Sequence, residues 1–377
     1  MPGSDRVTPG PQHAFHGGAS FDAIGTDFGD LERRHQVVDA DVLDAWYEPA
    51  PAVLATLRDH LAWLVKTSPP THGEGLRAAI AARHGLAPAQ ILLGGGTSSL
   101  MYTVFPQLVG PGDTVAILDP MYGEYHHIFA HVLGTRVVPC ELDAARGFAP
   151  DAVAIADTVR RSGAKLLVMV NPNSPTGVAM PRAAVETLLA ELPATVQVWI
   201  DETYVDFAPE VPSAEPLVAH DPRVMVAKSM SKFFALSGLR VGYLCADGSL
   251  VQSVARRNPP WSVGLLAQCA AVRALDNYGW YRERAAETHL LRAELMAGID
   301  ALPELRCMPS TTNFVLIETT GLPAGELVRR CRAHGVFLRD CGSLSPRFGS
   351  RYVRTAVKAR QDNRRIVAAL AAAGQRS

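Results

Sequence analysis

Residues 224–245 read VMVAKSMSKFFALSGLRVGYLC. Two apolar runs, Val224 to Ala227 and Val241 to Cys245, predict short buried strands. Between them small hydroxyl residues bracket a lysine (Ser229, Met230, Ser231, Lys232), and Arg240 precedes the second run. A primary amine amid hydroxyls, with an arginine nearby, suits a phosphate ester that also carries a carbonyl. The amine condenses with the carbonyl to a Schiff base. Ser229, Ser231 and Arg240 bind the phosphate, the arginine through a charge-assisted fork. A lone Ser-Lys pair is more often a surface loop, so the flanking chain must decide.

Upstream, apolar runs recur at Thr114 to Leu118, Leu166 to Val170 and Val196 to Ile200, with Ile91–Leu93 as a strand or the lead-in to a helix. Amphipathic or Ala-rich stretches separate them, among them Ala152 to Arg161 and Ala183 to Leu192. Continuous apolar strands alternating with helices predict an α/β fold, a mostly parallel central sheet covered by helices on both faces. Ligands of such sheets sit at the carboxyl ends of the strands. Earlier, Ala50 to Val65 and Gly75 to His84 have helical spacing; beyond Trp261 come a long helical stretch, Leu265 to Ile299, and strand-like runs at Asn313 to Glu318 and Tyr352 to Val357 around a helix near Glu326 to Ala333. The expected organisation is a mobile tail over 1–20, an arm over 21–50 packing with a smaller α+β domain at 263–377, and a large ligand-binding domain over 51–262.

Composition excludes several classes. The 377 residues carry a formal net charge of −1 and a pI near 6.9, which offers no pull toward nucleic acid or an anionic membrane. No apolar run is long enough to span a bilayer. The Gly/Pro-rich N-terminus lacks the apolar core of a secretory signal. The six cysteines lack C-x-x-C spacing and read as reduced core residues of a cytosolic protein, with no metal site expected.

Each strand end carries a motif with chemical content. Gly94-Gly95-Gly96-Thr97-Ser98-Ser99 precedes a helix-like stretch and makes an anion cradle at a helix N-terminus. Tyr122, after the Thr114–Leu118 run, offers a flat face for an aromatic ring. Asn171-Pro172-Asn173-Ser174-Pro175-Thr176-Gly177 is a loop that its prolines keep from being helix or sheet, fixing Asn173 and Ser174. Asp201, ending the Val196–Ile200 run, is costly to ionise without a cation; a protonated pyridine nitrogen is one, with Tyr204 near enough for the ring's phenolic oxygen. Arg354, in an apolar strand, wants a carboxylate, and Arg339 is a second arginine of that kind, beside Asp340.

Taken together, NPNSPTG, DETY, SMSK, GLRVGY and RYVRTAVK stand in one order over Trp46 to Leu370. In this the chain resembles the class I/II aminotransferase superfamily of pyridoxal 5'-phosphate enzymes (fold type I), and within it the branch of histidinol-phosphate aminotransferases and threonine-phosphate decarboxylases. The resemblance implies a homodimeric aminotransferase acting on a small amino acid, one that can be anionic at its far end, and a 2-oxo acid, with pyridoxal phosphate bound to Lys232. It implies that Asp201 pairs with the pyridine nitrogen, Tyr204 with the phenolic oxygen, and Tyr122 with the ring face. Gly96, Thr97, Ser98, Ser229, Ser231 and Arg240 would hold the phosphate, Arg354 the substrate carboxylate, and Arg339 a distal anionic group. Lys228 falls too early for the lysine motif. A decarboxylase of a phosphorylated amino acid is the alternative.

Three departures from the family pattern stand out. Ser174 replaces the asparagine before Pro-Thr-Gly, leaving the phenolic contact to Asn173 or to the serine hydroxyl. Ser68-Pro69 replaces a Tyr-Pro that crosses the dimer. An Asn-rich loop is here Asp44-Ala45-Trp46-Tyr47, bulkier and aromatic, which puts Trp46 and Tyr47 among the expected substrate contacts. These departures argue against histidinol phosphate as the substrate.

Overall fold

A computed structural model of the chain describes residues 16–375. It opens with α1 (Phe21–Ile24), a 3₁₀ turn and β1 (Val38–Asp39), then α2 (Pro51–Lys66) and α3 (Glu74–His84). The central region alternates β2 (Ile91–Gly94), α4 (Thr97–Leu108), β3 (Thr114–Asp119), α5 (Gly123–His127), β4 (Arg136–Glu141), α6 (Ala152–Ser162), β5 (Leu166–Val170), α7 (Arg182–Glu191), β6 (Gln197–Asp201), β7 (Val224–Ser229) and β8 (Gly242–Cys245). There follow α8 (Gly248–Ala255), α9 (Leu265–Asp276), α10 (Tyr278–Asp300), β9 (Leu305–Cys307), β10 (Phe314–Thr319), α11 (Ala324–Arg332), β11 (Val336–Phe337), β12 (Arg339–Asp340), β13 (Tyr352–Ala356) and α12 (Arg360–Gly374).

The seven-stranded sheet has the order β2-β8-β7-β6-β5-β3-β4, parallel except for β8. Its inner strands are apolar on both faces, Leu166–Val170 being buried throughout, as a sheet covered by helices on each side requires. Phe105 of α4 seals the middle, its ring 4.7 Å from those of both Trp199 and Phe129. The expected strands are all present. In this sheet one further strand, β4, lies at the edge, where Pro139 costs no ladder bond that a central strand would need.

A four-stranded antiparallel sheet, β12-β13-β10-β9, forms the second unit with α10, α11 and α12. The helical stretch after Trp261 is two helices: the Asn277 amide donates to the Arg273 carbonyl and closes α9. The N-terminal segment returns to this unit through β1, which pairs in parallel with β11. The expected mobile tail over 1–20 falls mainly outside the described residues, but its end is held in place. Gly18 N–H donates to Asp41 and the Ser20 hydroxyl to Asp39. All six cysteines are unpaired, five of them buried. No helix among the described residues is long and apolar enough to cross a membrane.

Candidate active site

The carboxyl ends of β5, β6 and β7, the N-terminus of α4 and the strand β13 converge on one cavity. Thr97, Ser98, Tyr122, Ser174, Asp201 and Tyr204 line it, with Ser229, Ser231, Lys232, Arg240 and Arg354. Residues more than 250 positions apart in the chain thus share one wall.

At one end is an anion cradle. Thr97 and Ser98 are the first residues of α4, so their N–H groups and the helix dipole face the cavity. Arg240, in the connection just before β8, closes the cradle, donating to the Ser231 hydroxyl at 3.3 Å and to the Ser237 carbonyl at 2.9 Å. A Cβ on Gly96 would come within 2.7 Å of the guanidinium, and one on Gly242 within 2.8 Å of the Thr97 nitrogen. Glycine at 242 lets its strand approach the helix N-terminus this closely, and glycine at 96 leaves room for the guanidinium. The Thr97 hydroxyl is buried without a hydrogen-bond partner among the described residues. The geometry calls for a phosphate oxygen there.

In the middle, Asp201 ends β6. Its Oδ2 accepts from the Tyr125 hydroxyl at 2.7 Å, and its Oδ1 from the Thr203 amide and hydroxyl at 2.9 and 2.6 Å. The Tyr125 oxygen accepts in turn from the Trp199 indole at 2.9 Å. Burial still raises the Asp201 carboxyl above its ordinary value, because no ion pair among the described residues includes it. A cationic ring nitrogen supplies what this carboxylate lacks. Tyr122 lines the same space, its hydroxyl pushed up to about 12 chiefly by burial. Tyr204 meets Phe314 edge-on at 5.0 Å and is likewise raised by burial.

Lys232 Nζ donates to Asp44 Oδ1 at 2.8 Å, and the Ser237 hydroxyl donates to the same oxygen. Burial would raise the Asp44 carboxyl, but the Lys232 charge and these bonds bring it below its usual value. Arg354 donates through Nη1 to the Ser174 hydroxyl at 3.2 Å and through Nη2 to the Asp41 carbonyl at 3.0 Å. Its Nε is buried with no hydrogen-bond partner among the described residues.

Four expected contacts are placed elsewhere. Asn173 is off the cavity wall: its amide donates to the Pro120 carbonyl and the Thr176 hydroxyl, tying two loops together, while Ser174 lines the cavity. Trp46 packs against the core, its indole N–H donating to the buried Thr288 hydroxyl at 2.9 Å. Tyr47 is buried, donating to the Phe233 carbonyl at 2.8 Å, and so braces the loop behind Lys232 instead of facing a substrate. Arg339 is buried off the wall, beside Asp41. Lys228 points to the opposite face of the sheet, ion-paired with Asp206, Glu215 and Glu202. Tyr125, Thr203, Asp41 and Asp44 are site residues that the motifs did not single out. Tyr125 stands three residues beyond Tyr122, but only the folded sheet brings it under Asp201.

A cradle for phosphate, a carboxylate awaiting a pyridinium, a flat tyrosine and a lysine amine in one chamber define a pyridoxal-phosphate-dependent enzyme of fold type I. The chain belongs to the family Aminotransferase class I and II, whose sequence profile matches residues 41–371. A histidinol-phosphate aminotransferase of Symbiobacterium thermophilum is 32% identical over 326 residues, covering 86% of this chain and 87% of that one. Among solved structures, the histidinol-phosphate aminotransferase of Sinorhizobium meliloti in complex with pyridoxal-5'-phosphate superposes with a TM-score of 0.79 at 24% identity, over 88% of this chain and 89% of the other. The L-threonine-O-3-phosphate decarboxylase of Porphyromonas gingivalis superposes at 0.75 with 20% identity, over 88% and 97%. The protein is a pyridoxal-phosphate-dependent aminotransferase.

Proposed function

We propose that the enzyme moves the amino group of a small amino acid to a 2-oxo acid, with Lys232, Asp201 and Arg354 as the working side chains. Bound pyridoxal phosphate supplies a carbonyl for the amine and a ring that takes up the electrons released at Cα. Thr97, Ser98, Ser229, Ser231 and Arg240 hold its phosphate, and Asp201, kept in place by Tyr125 and Thr203, keeps the ring nitrogen protonated. Lys232 Nζ takes the Cα proton and returns it. Asp44, 2.8 Å away, orients that amine. Arg354 fixes the substrate α-carboxylate through its unpartnered Nε. The observation carrying this reading is that Lys232, Asp201 and Arg354 line one cavity.

Histidinol phosphate is not the proposed substrate. Asp41 stands beside Arg339, and Trp46 and Tyr47 fill the core where the Asn-rich loop of relatives would be. A buried arginine holding the carboxylate favours its retention over its loss as neutral carbon dioxide, which would leave the guanidinium unpaired. We place the enzyme in a reducing compartment, the cytosol, on its unpaired cysteines. We propose a homodimer, because Leu61, Trp63 and Val65 of α2 and nearby Trp261 are at least half exposed. Borohydride treatment followed by peptide mass mapping should attach the cofactor to Lys232. Assaying new keto acid against carbon dioxide over a panel of amino acids should give keto acid only; stoichiometric carbon dioxide would assign a decarboxylase.

A further inference from the structure

Arg339 and Arg354 face each other across β12 and β13, being register partners in the small sheet. Asp41 lies beside them: its Oδ1 is 3.9 Å from Arg339 Nη1, and its backbone carbonyl accepts from Arg354. Among the described residues, these two guanidinium groups and this carboxylate sum to a single positive charge. The substrate α-carboxylate on Arg354 uses that charge up. A second anion, carboxylate or phosphate, would then meet Asp41 at short range with nothing to offset it.

Asp41 has a second property. It is buried, lines the cavity, and its Oδ1 has no hydrogen-bond partner among the described residues. The other oxygen accepts from Gly18 N–H at 3.1 Å. Gly17 packs so closely that a Cβ there would lie 2.9 Å from Oδ1, so the 16–18 segment wraps the carboxylate and holds it on the wall. A buried acceptor without a donor is costly, and the missing donor is best supplied by what binds. The same wall therefore carries two unmet needs: a donor at Arg354 Nε, seeking a carboxylate, and an acceptor at Asp41 Oδ1, seeking an O–H or N–H.

From this pair we infer that Asp41 sets the substrate class: amino acids whose side chain ends in an uncharged hydrogen-bond donor, such as a hydroxyl, with acidic and phosphorylated side chains rejected. The exclusion of a second anion applies equally to the partner 2-oxo acid, which occupies the same wall, so acceptors with an uncharged side chain are used in preference to 2-oxoglutarate. The inference rests on the assignment of Arg354 to the α-carboxylate made above.

Binding of two unreactive acids to the holoenzyme, measured by calorimetry, tests the two assignments separately. 4-Hydroxybutyrate should bind at least 10-fold more tightly than succinate, and homoserine should convert the bound cofactor, followed by its absorbance, at least 10-fold faster than aspartate or O-phosphoserine. Asp41→Asn, nearly the same shape, should abolish or invert both preferences. Arg354→Met should weaken both acids alike. Succinate binding as well as 4-hydroxybutyrate, or an unchanged preference in D41N, overturns the role of Asp41 and leaves the aminotransferase reading intact. Undiminished binding of both acids to R354M overturns the carboxylate assignment instead.

Discussion

Replacing Tyr125 by phenylalanine isolates the polar network beneath the ring site. The phenolic oxygen is fully buried and makes two bonds, donating to Asp201 at 2.7 Å and accepting from Trp199 at 2.9 Å. Phenylalanine keeps the ring packed against Phe105 and Tyr122, so no cavity of consequence forms. A hydrogen bond to a charged group contributes about 1.5–3 kcal/mol, and an indole N–H left buried and unpaired costs roughly 1–3 kcal/mol. The Trp199 N–H recovers nothing, since phenylalanine offers no acceptor. The expected loss of stability is therefore roughly 2.5–6 kcal/mol, read by denaturant unfolding with an unchanged slope. Asp201, already raised by burial, loses a donor that favours its ionised form and should move further up. In the holoenzyme this should shift the pH midpoint of the cofactor's visible absorbance, a readout that a merely structural tyrosine would not move. A stability loss under about 1 kcal/mol together with an unshifted midpoint would refute the argument.

Gly242→Ala places a methyl group 2.8 Å from the Thr97 nitrogen and 2.9 Å from the Gly96 carbonyl carbon. Backbone cannot yield as a side chain can, so the variant should lose about 1–3 kcal/mol and bind pyridoxal phosphate at least 10-fold more weakly by fluorescence titration; wild-type affinity would contradict the cradle. Lys232→Ala should take up the cofactor without covalent attachment, shown by borohydride giving no labelled peptide, and should lose at least about 10³-fold in turnover. On the far face of the sheet, burial pushes Glu202 up to about 7 from an ordinary 4.5, against the pull of Lys228. A carboxyl raised on folding stabilises below its unfolded value, and that contribution is lost as pH climbs from about 4.5 to about 7. Glu215, held down to about 2 despite burial by Lys228 and His84, acts below that window. Unfolding curves of wild type and Glu202→Gln should therefore diverge by up to about 3 kcal/mol across it, the wild type falling relative to the variant; parallel curves would show that Glu202 is ionised in the folded protein.

What could be read in the sequence is what short-range chemistry decides. The inner strands are unbroken apolar runs because both faces are covered, so β3, β5, β6 and β7 were visible within a residue or two. Each motif at a strand end lines the chamber because a parallel sheet collects carboxyl ends on one side. β4 escaped because an edge strand tolerates a proline and charged ends, which in a central strand would forbid pairing. Long-range partners were beyond reach for a different reason. Trp46 and Tyr47 read as substrate contacts, yet they find their hydrogen bonds at Thr288 and Phe233, some 240 and 190 positions away, where nothing local announces a partner. Arg339 shows the same limit in electrostatic form. A buried arginine in a strand asks for an anion, and sequence alone favours a substrate; the fold answers with Asp41, roughly 300 residues earlier, beside it. With that carboxylate beside Arg339, Arg354 is the arginine of the pair that faces the chamber. A residue that no motif contains therefore decides which amino acid the chamber accepts.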